Sequence, residues 1–241
     1  MALAGPKPLW LTFDCYGTLI QWDEGLVAAV DTILAHHGQR AIDPHRLLAV
    51  FDRHEHALKS ARPHRSFRDV AGTALQRALE ELGLPCGASD VDVLTSRIAQ
   101  MPPFPEVVPT LTLLQAAGFK HCIISNTDDA IIAGNVAQLA GTIDQVVTAE
   151  QAQAYKPSRT IFAHAHRVLG VAVAEVVHIC ASPLLDLTAA RDLGFRCVWI
   201  NRGTGRAPLP DYTPEAALPT LAELPRVFQA AGWMEERTGK G

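Results

Sequence analysis

Four short apolar runs constrain this chain more than any other feature. PLWLTFD (8–14), FKHCIISN (119–126), EVVHICAS (175–182) and FRCVWIN (195–201) are rich in aromatic and β-branched residues, and each closes on polar or turn residues. Runs of this kind fit strands buried on both faces. Helical patterns lie between them over 105–117, 130–139, 158–169 and 187–193, with Gly118, Gly170 and Gly194 just after three of them as stop signals. Strand and helix alternate, which predicts an α/β protein with a doubly wound parallel sheet covered on both faces.

The segment 21–101 breaks that rhythm. GLVAAVDTILAHHG, PHRLLAVFDRHEHALKSA and SFRDVAGTALQRALEELG are three amphipathic stretches with no convincing strand among them. This reads as a helical insertion after the first strand. A polar turn at 21–24 opens it, and MPPFP at 101–105 closes it, since proline blocks helix continuation and favours an extended linker. The tail EERTGKG is expected to fray.

A chain of 241 residues can hold one sizeable core with a smaller inserted unit. With 48% hydrophobic and 19% charged residues it is too apolar for disorder. The net charge of −4 offers no basic field for a polyanion, so nucleic acid is not an expected partner. No apolar run of about 18 residues and no leader pattern is present, which predicts a cytoplasmic protein without membrane contact. The five cysteines are scattered without a CxxC pair, and reduced thiols are expected.

In an open parallel sheet, ligands collect beyond the carboxyl ends of the strands. Those ends offer Asp14 after the first run, Ser125 and Asn126 after the second, and Ser182 with Asp186 after the third. Lys156 arrives in the loop AQAYKPS just before a helix. The set holds a potential nucleophile, hydroxyl and amide donors, a cation and a second acid.

FDCYGTL, IISN, YKPS and SPLLDLTAARDLGF resemble, in order and spacing, the four motifs of the haloacid dehalogenase superfamily. The resemblance implies a Rossmann-like core over 1–20 and 102–241, with 21–101 as a helical cap domain. It implies Asp14 as the nucleophile, on a turn where Gly17 allows close backbone approach. Lys156 would keep Asp14 ionised, and Asp186 would orient Lys156 or help activate water. Thr18 would brace the turn, and Ser182 would contact Asp14 or Lys156. Cys15, Tyr16, Ser125 and Asn126 would meet the substrate.

Phosphatases of the superfamily place a second aspartate two residues after the nucleophile, where this chain has Tyr16. A phenol with a usual pKa of about 10 is a poor proton donor near neutrality. The phosphatase fourth motif also pairs two acids around Mg²⁺, whereas CASPLLD has Ser182 in the first acidic place and keeps Asp186. Metal-free chemistry without a cofactor is therefore expected. Tyrosine in that place, with WINR at 199–202, resembles the type II (L)-2-haloacid dehalogenases, which displace halide from the carbon beside a carboxylate. The substrates implied are a small carboxylate and water, and the resemblance alone implies a homodimer.

Three places depart from that branch. The position after the fourth-motif serine holds Pro183 where those enzymes have asparagine, and Phe162 stands where they have a tyrosine six residues after the lysine. They also bring an arginine from the start of the cap. Arg53 is taken as the candidate, with Arg40 an alternative and Arg62, Arg65 and Arg68 further along. These departures leave open another activated carbon, such as a strained C–N ring acid, as well as a Mg²⁺-dependent phosphatase and a non-catalytic binding protein. A metal site among the histidines of the helical segment is not expected, since His54 and His56 diverge on a helix.

Overall fold

The computed structural model describes residue 3 and residues 5–235; the frayed tail expected at the C-terminus lies, from 236 onward, outside the described residues. Six strands form one sheet: β1 (Trp10–Phe13), β2 (Lys120–Ser125), β3 (Gln145–Thr148), β4 (Val176–Cys180), β5 (Arg196–Ile200) and β6 (Ala216–Leu218). Their order is β3-β2-β1-β4-β5-β6, and every pairing is parallel. The four apolar runs of the sequence are the inner strands. β3 and β6, of four and three residues, form the two edges and carry too few apolar positions to stand out in the sequence.

The pleat divides the apolar side chains between two packed layers. Leu11, Phe13, Ile123, Val177, Ile179, Val198 and Ile200 belong to the larger core cluster, which also takes in α5 (Val107–Ala116) and α10 (Leu224–Ala230). Cys122, Ile124, Cys180, Cys197 and Trp199 belong to the second, with Ile161 and Phe162 of α8 (Arg159–Leu169) and Ala189 and Ala190 of α9 (Thr188–Leu193). Gly118, Gly170 and Gly194 all take positive φ at the ends of their helices, as their places in the sequence require.

Four helices fill the stretch between β1 and α5: α1 (Trp22–His36), α2 (Pro44–Ser60), α3 (Phe67–Glu81) and α4 (Ala88–Gln100). The sequence shows three of them as amphipathic stretches; α4 is rich in β-branched and short polar residues, which favour helix less. Among the described residues no helix is long and apolar enough to cross a membrane.

The chain enters and leaves this helical unit side by side. Ile20 pairs antiparallel with Pro103, Gln21 N donates to Pro102 O at 2.9 Å, and Phe104 N donates to Leu19 O at 3.0 Å. α6 (Asp129–Ala137), followed after β3 by the single turn α7 (Ala149–Ala152), lies against α4 closely enough that a Cβ on Gly134 would stand 2.4 Å from Ala99 O. Asn135 Nδ2 donates to Ile98 O and Met101 O at 2.9 and 3.1 Å, tying α6 to the end of α4.

Candidate active site

Strand order reverses between β2 and β4 on either side of β1, and Asp14 stands at the end of β1, at that switch point. Its N–H donates to Ile179 O at 2.9 Å, continuing the β1–β4 ladder by one residue. The chain then folds into a tight turn in which the N–H groups of Thr18, Leu19 and Ile20 converge on Cys15 O, with Gly17 at φ +82°. Arg202, just after β5, donates to Thr18 O at 2.7 Å, pairs with Glu106 at 2.8 Å and stacks on Phe104.

Both oxygens of Asp14 are held. Thr18 Oγ1 donates to Oδ2 at 2.6 Å while accepting the Ala181 N–H at 2.8 Å, and Lys156 Nζ donates to Oδ1 at 2.6 Å. Lys156 also donates to Asp186 Oδ1 at 2.9 Å. The three charged groups are buried, at 6%, 3% and 0% exposure for Asp14, Lys156 and Asp186. Burial works against the ammonium of Lys156, but the two carboxylates outweigh it and raise its pKa. Burial likewise pushes the Asp186 carboxyl up, yet Lys156 and His178 hold it below its usual value.

Lys156 reaches this position because its loop is clasped by Asn126. Lys156 N donates to Asn126 Oδ1 at 2.6 Å and Asn126 Nδ2 donates to Lys156 O at 3.3 Å. The side chain expected to meet the substrate thus brackets a peptide, although it also lines the cavity. Ser125 lines the cavity as well, and its buried hydroxyl has no partner. Ser182 caps the π-turn Pro183–Leu187 by accepting Leu185 N at 3.3 Å; contrary to the sequence expectation, it bonds neither Asp14 nor Lys156.

Tyr16 presents its ring to the cavity beside Trp22, with centroids 4.8 Å apart, and sends its hydroxyl to Asn135 Oδ1 at 2.9 Å. Burial pushes the phenol pKa well up. Cys15 is corrected as a side-chain contact: it is fully buried in the core and absent from the cavity wall, because the pleat turns it away from the neighbouring Asp14. What it could offer is its backbone.

The cavity has a volume of about 970 Å³ and opens between the strand ends and the helices. One face of α2 lines it through His45, Leu48, Asp52, Glu55 and Lys59, the i, i+3, i+7 stripe that points one way on a helix. Arg53 follows Asp52 by about 100° of helix rotation and faces out. It is 61% exposed, pairs with Glu81 at 2.6 Å and does not line the cavity, which corrects its expected role. Arg62 does line it, as does Arg206, which grips Asp23 with both terminal nitrogens at 2.8 and 3.0 Å. The polar residues of α2 on the cavity, Arg206 and the buried His178 gave no signal in the sequence.

A family model described as haloacid dehalogenase-like hydrolase matches residues 10–194. The (S)-2-haloacid dehalogenase of Pseudomonas sp. (strain YL) is 26% identical over 238 residues, spanning 94% of this chain and 97% of its own length. The phosphoglycolate phosphatase of Caulobacter vibrioides is 27% identical over 227 residues, 90% of this chain and 89% of its own. A crystal structure of an L-2-haloacid dehalogenase superposes with a TM-score of 0.81 at 25% identity, covering 93% of this chain and 100% of that one. Since the matched stretch runs from β1 to the end of α9 and takes in Asp14, Lys156 and Asp186 together, the chain belongs to the haloacid dehalogenase-like hydrolases.

Proposed function

We propose that the protein displaces halide from 2-haloalkanoic acids through an ester on Asp14, without a metal, and releases 2-hydroxy acids. The observation that carries this reading is the commitment of the Tyr16 hydroxyl to Asn135, with its phenol pKa pushed up by burial. The position two residues after the nucleophile then supplies no proton to a leaving group. Halide, a very weak base, leaves without one; an alkoxide leaving from phosphate does not.

The charge arrangement supports the same reading. The Lys156 ammonium is bonded to both Asp14 and Asp186, so a divalent ion seeking those two carboxylates would face a fixed positive charge. The residues do not fit Mg²⁺. Asp14, ionised and braced by Thr18 and Lys156, attacks C2 from the side opposite the halide, and the C–X electron pair departs with the halide. The donors available to the substrate carboxylate are the unpartnered Ser125 hydroxyl and the N–H groups of Cys15 and Tyr16, which take no part in the hydrogen bonds of their turn. Water then adds to Cγ of the Asp14 ester, giving its proton to Asp186, and the ester C–O bond breaks to free the 2-hydroxy acid. Helices α1 to α4 serve as the cap that shields this step.

Halide release from (S)-2-chloropropionate and from haloacetates, measured in EDTA, tests the reading. Release that persists in EDTA and vanishes in Asp14→Asn is the expected result. Turnover of p-nitrophenyl phosphate that EDTA abolishes, with no halide released from any acid, would replace it with a phosphatase.

A further inference from the structure

Behind Asp186 lies a histidine that the reaction as written does not use. Thr12 and His178 are register partners on β1 and β4, and their side chains meet on one face of the sheet: Thr12 Oγ1 lies 2.8 Å from His178 Nδ1. On its other side the ring reaches Asp186, with Nε2 3.0 Å from Oδ1. Phe162 and Phe195 pack edge to face on the imidazole at 5.6 and 5.7 Å and fix its plane. Both Thr12 and His178 are buried, at 1% exposure each.

The protons can be placed from the partners. An ionised carboxylate only accepts, so Nε2 carries a hydrogen, and Nδ1 is free to accept from the Thr12 hydroxyl. Both ring nitrogens are thus partnered, Nε2 by the carboxylate and Nδ1 by the hydroxyl. Asp186 Oδ1 takes two donors, Lys156 and His178, whereas Asp186 Oδ2 is buried with no partner, and Asp186 itself stands outside the cavity wall that Asp14 and Lys156 line. The carboxylate is therefore held in one rotation, with one oxygen saturated and the other keeping its lone pairs.

We infer that His178 is a positioning residue for ester hydrolysis, locking Asp186 so that Oδ2 is the oxygen that takes the proton of the attacking water. The inference rests on the ester reading given above. Ester formation depends on the alignment of Asp14, which Lys156 and Thr18 set and His178 does not touch. Once the ester exists, Asp14 carries no charge and Asp186 is the remaining anion beside Lys156. The Nε2 bond to Oδ1 keeps that anion in a single orientation while Oδ2 stays unpartnered. The water oxygen bonds to Cγ, its proton passes to Oδ2, and that proton leaves on the 2-hydroxyl as the ester C–O bond breaks.

Single-turnover kinetics with (S)-2-chloropropionate, following halide release and ester-bearing protein in quenched mass spectra, separate the two steps. His178→Leu is expected to slow ester hydrolysis by about 30-fold or more while ester formation stays within about 3-fold, so that the ester accumulates. His178→Gln, which keeps an N–H donor toward Oδ1, should restore hydrolysis to within about 5-fold of wild type. Thr12→Val should slow hydrolysis in the same direction by about 3-fold or more, and it decides the matter if the leucine variant does not fold. Equal slowing of both steps, or hydrolysis unchanged in Thr12→Val, overturns the inference. Wild-type turnover in heavy-oxygen water is read separately. No label on Asp14 there removes the ester reading itself, whereas label on Asp14 with no step-selective effect in the variants removes only the role of His178.

Discussion

The carboxylate of Asp128 caps a helix that is not its own. Asp128 stands at the N-cap position of α6, yet its Oδ1 accepts Phe67 N at 2.7 Å and its Oδ2 accepts Arg68 N at 2.8 Å, the first two N–H groups of α3. Ser66 satisfies a further N–H of that terminus, from Asp69 at 3.1 Å. A negative charge at a helix N-terminus is favourable both as an acceptor and against the helix dipole. Here it also joins the helical unit to the sheet layer beside the cavity.

Asp128→Ala should therefore lower stability by about 2 kcal/mol, the upper range for a lost N-cap, since two N–H groups lose an acceptor together. Urea denaturation measures it. A loss below about 0.5 kcal/mol would mean that α3 docks through its apolar face alone.

Lys156→Met leaves two buried carboxylates facing each other without their shared cation. Removing one partner of a buried ionic cluster costs about 3–5 kcal/mol, and the pair should take up a proton in response. The nucleophile then loses the cation bonded to its Oδ1. Halide release should fall by about 10³-fold or more, and stability of the variant should improve as pH is lowered toward 5, a range over which the wild-type contribution of the cluster is flat. Activity assays and melting curves at two pH values check both.

The same pair sets a pH profile for wild-type stability. The Asp186 carboxyl is held below its usual value in the fold, so its contribution is present above the ordinary carboxylate pKa and is lost as pH falls through the lowered one. The Lys156 ammonium is raised, so its contribution is present below the ordinary lysine pKa and is lost as pH rises through the raised one. Their joint contribution is flat between about pH 5 and 9. The difference in denaturation midpoint between wild type and Asp186→Asn, followed across pH, should narrow toward the acid end.

Tyr16→Phe keeps the ring against Trp22 and removes the bond to Asn135. A proton donor lost from a leaving group would cost at least about 100-fold; a structural tether lost should leave halide release within about 3-fold and lower stability by about 1 kcal/mol. Measuring kcat and the urea midpoint on one preparation distinguishes the two.

Much of this site was legible in the residues because strand ends are where an open parallel sheet gathers its ligands. Asp14, Lys156 and Asp186 follow from that rule and from the spacing of their motifs, and the structure brings all three within hydrogen-bonding distance. Arg53 shows where the reading stops. Sequence places it on a helix but does not say which face of α2 meets the sheet, and the structure puts Asp52 inside and Arg53 outside. His178 was hidden for another reason: inside EVVHICAS it looks like one more position of a buried strand, and its meaning comes from Thr12 and Asp186, which only folding brings beside it. The edge strands β3 and β6 gave too short a pattern to count, since their existence depends on the neighbours that offer them a ladder.

The paired linkers at 19–21 and 102–104 have a mechanical consequence. A lone tether would let the four helices swivel freely, but two chains stitched together at Ile20 and Pro103 behave as a flat strap, yielding across its face and resisting shear and twist. The strap begins one residue beyond Thr18, whose hydroxyl donates to Asp14 Oδ2. A displacement of the four helices would accordingly pull on the same turn that holds Asp14, so that the two are mechanically tied.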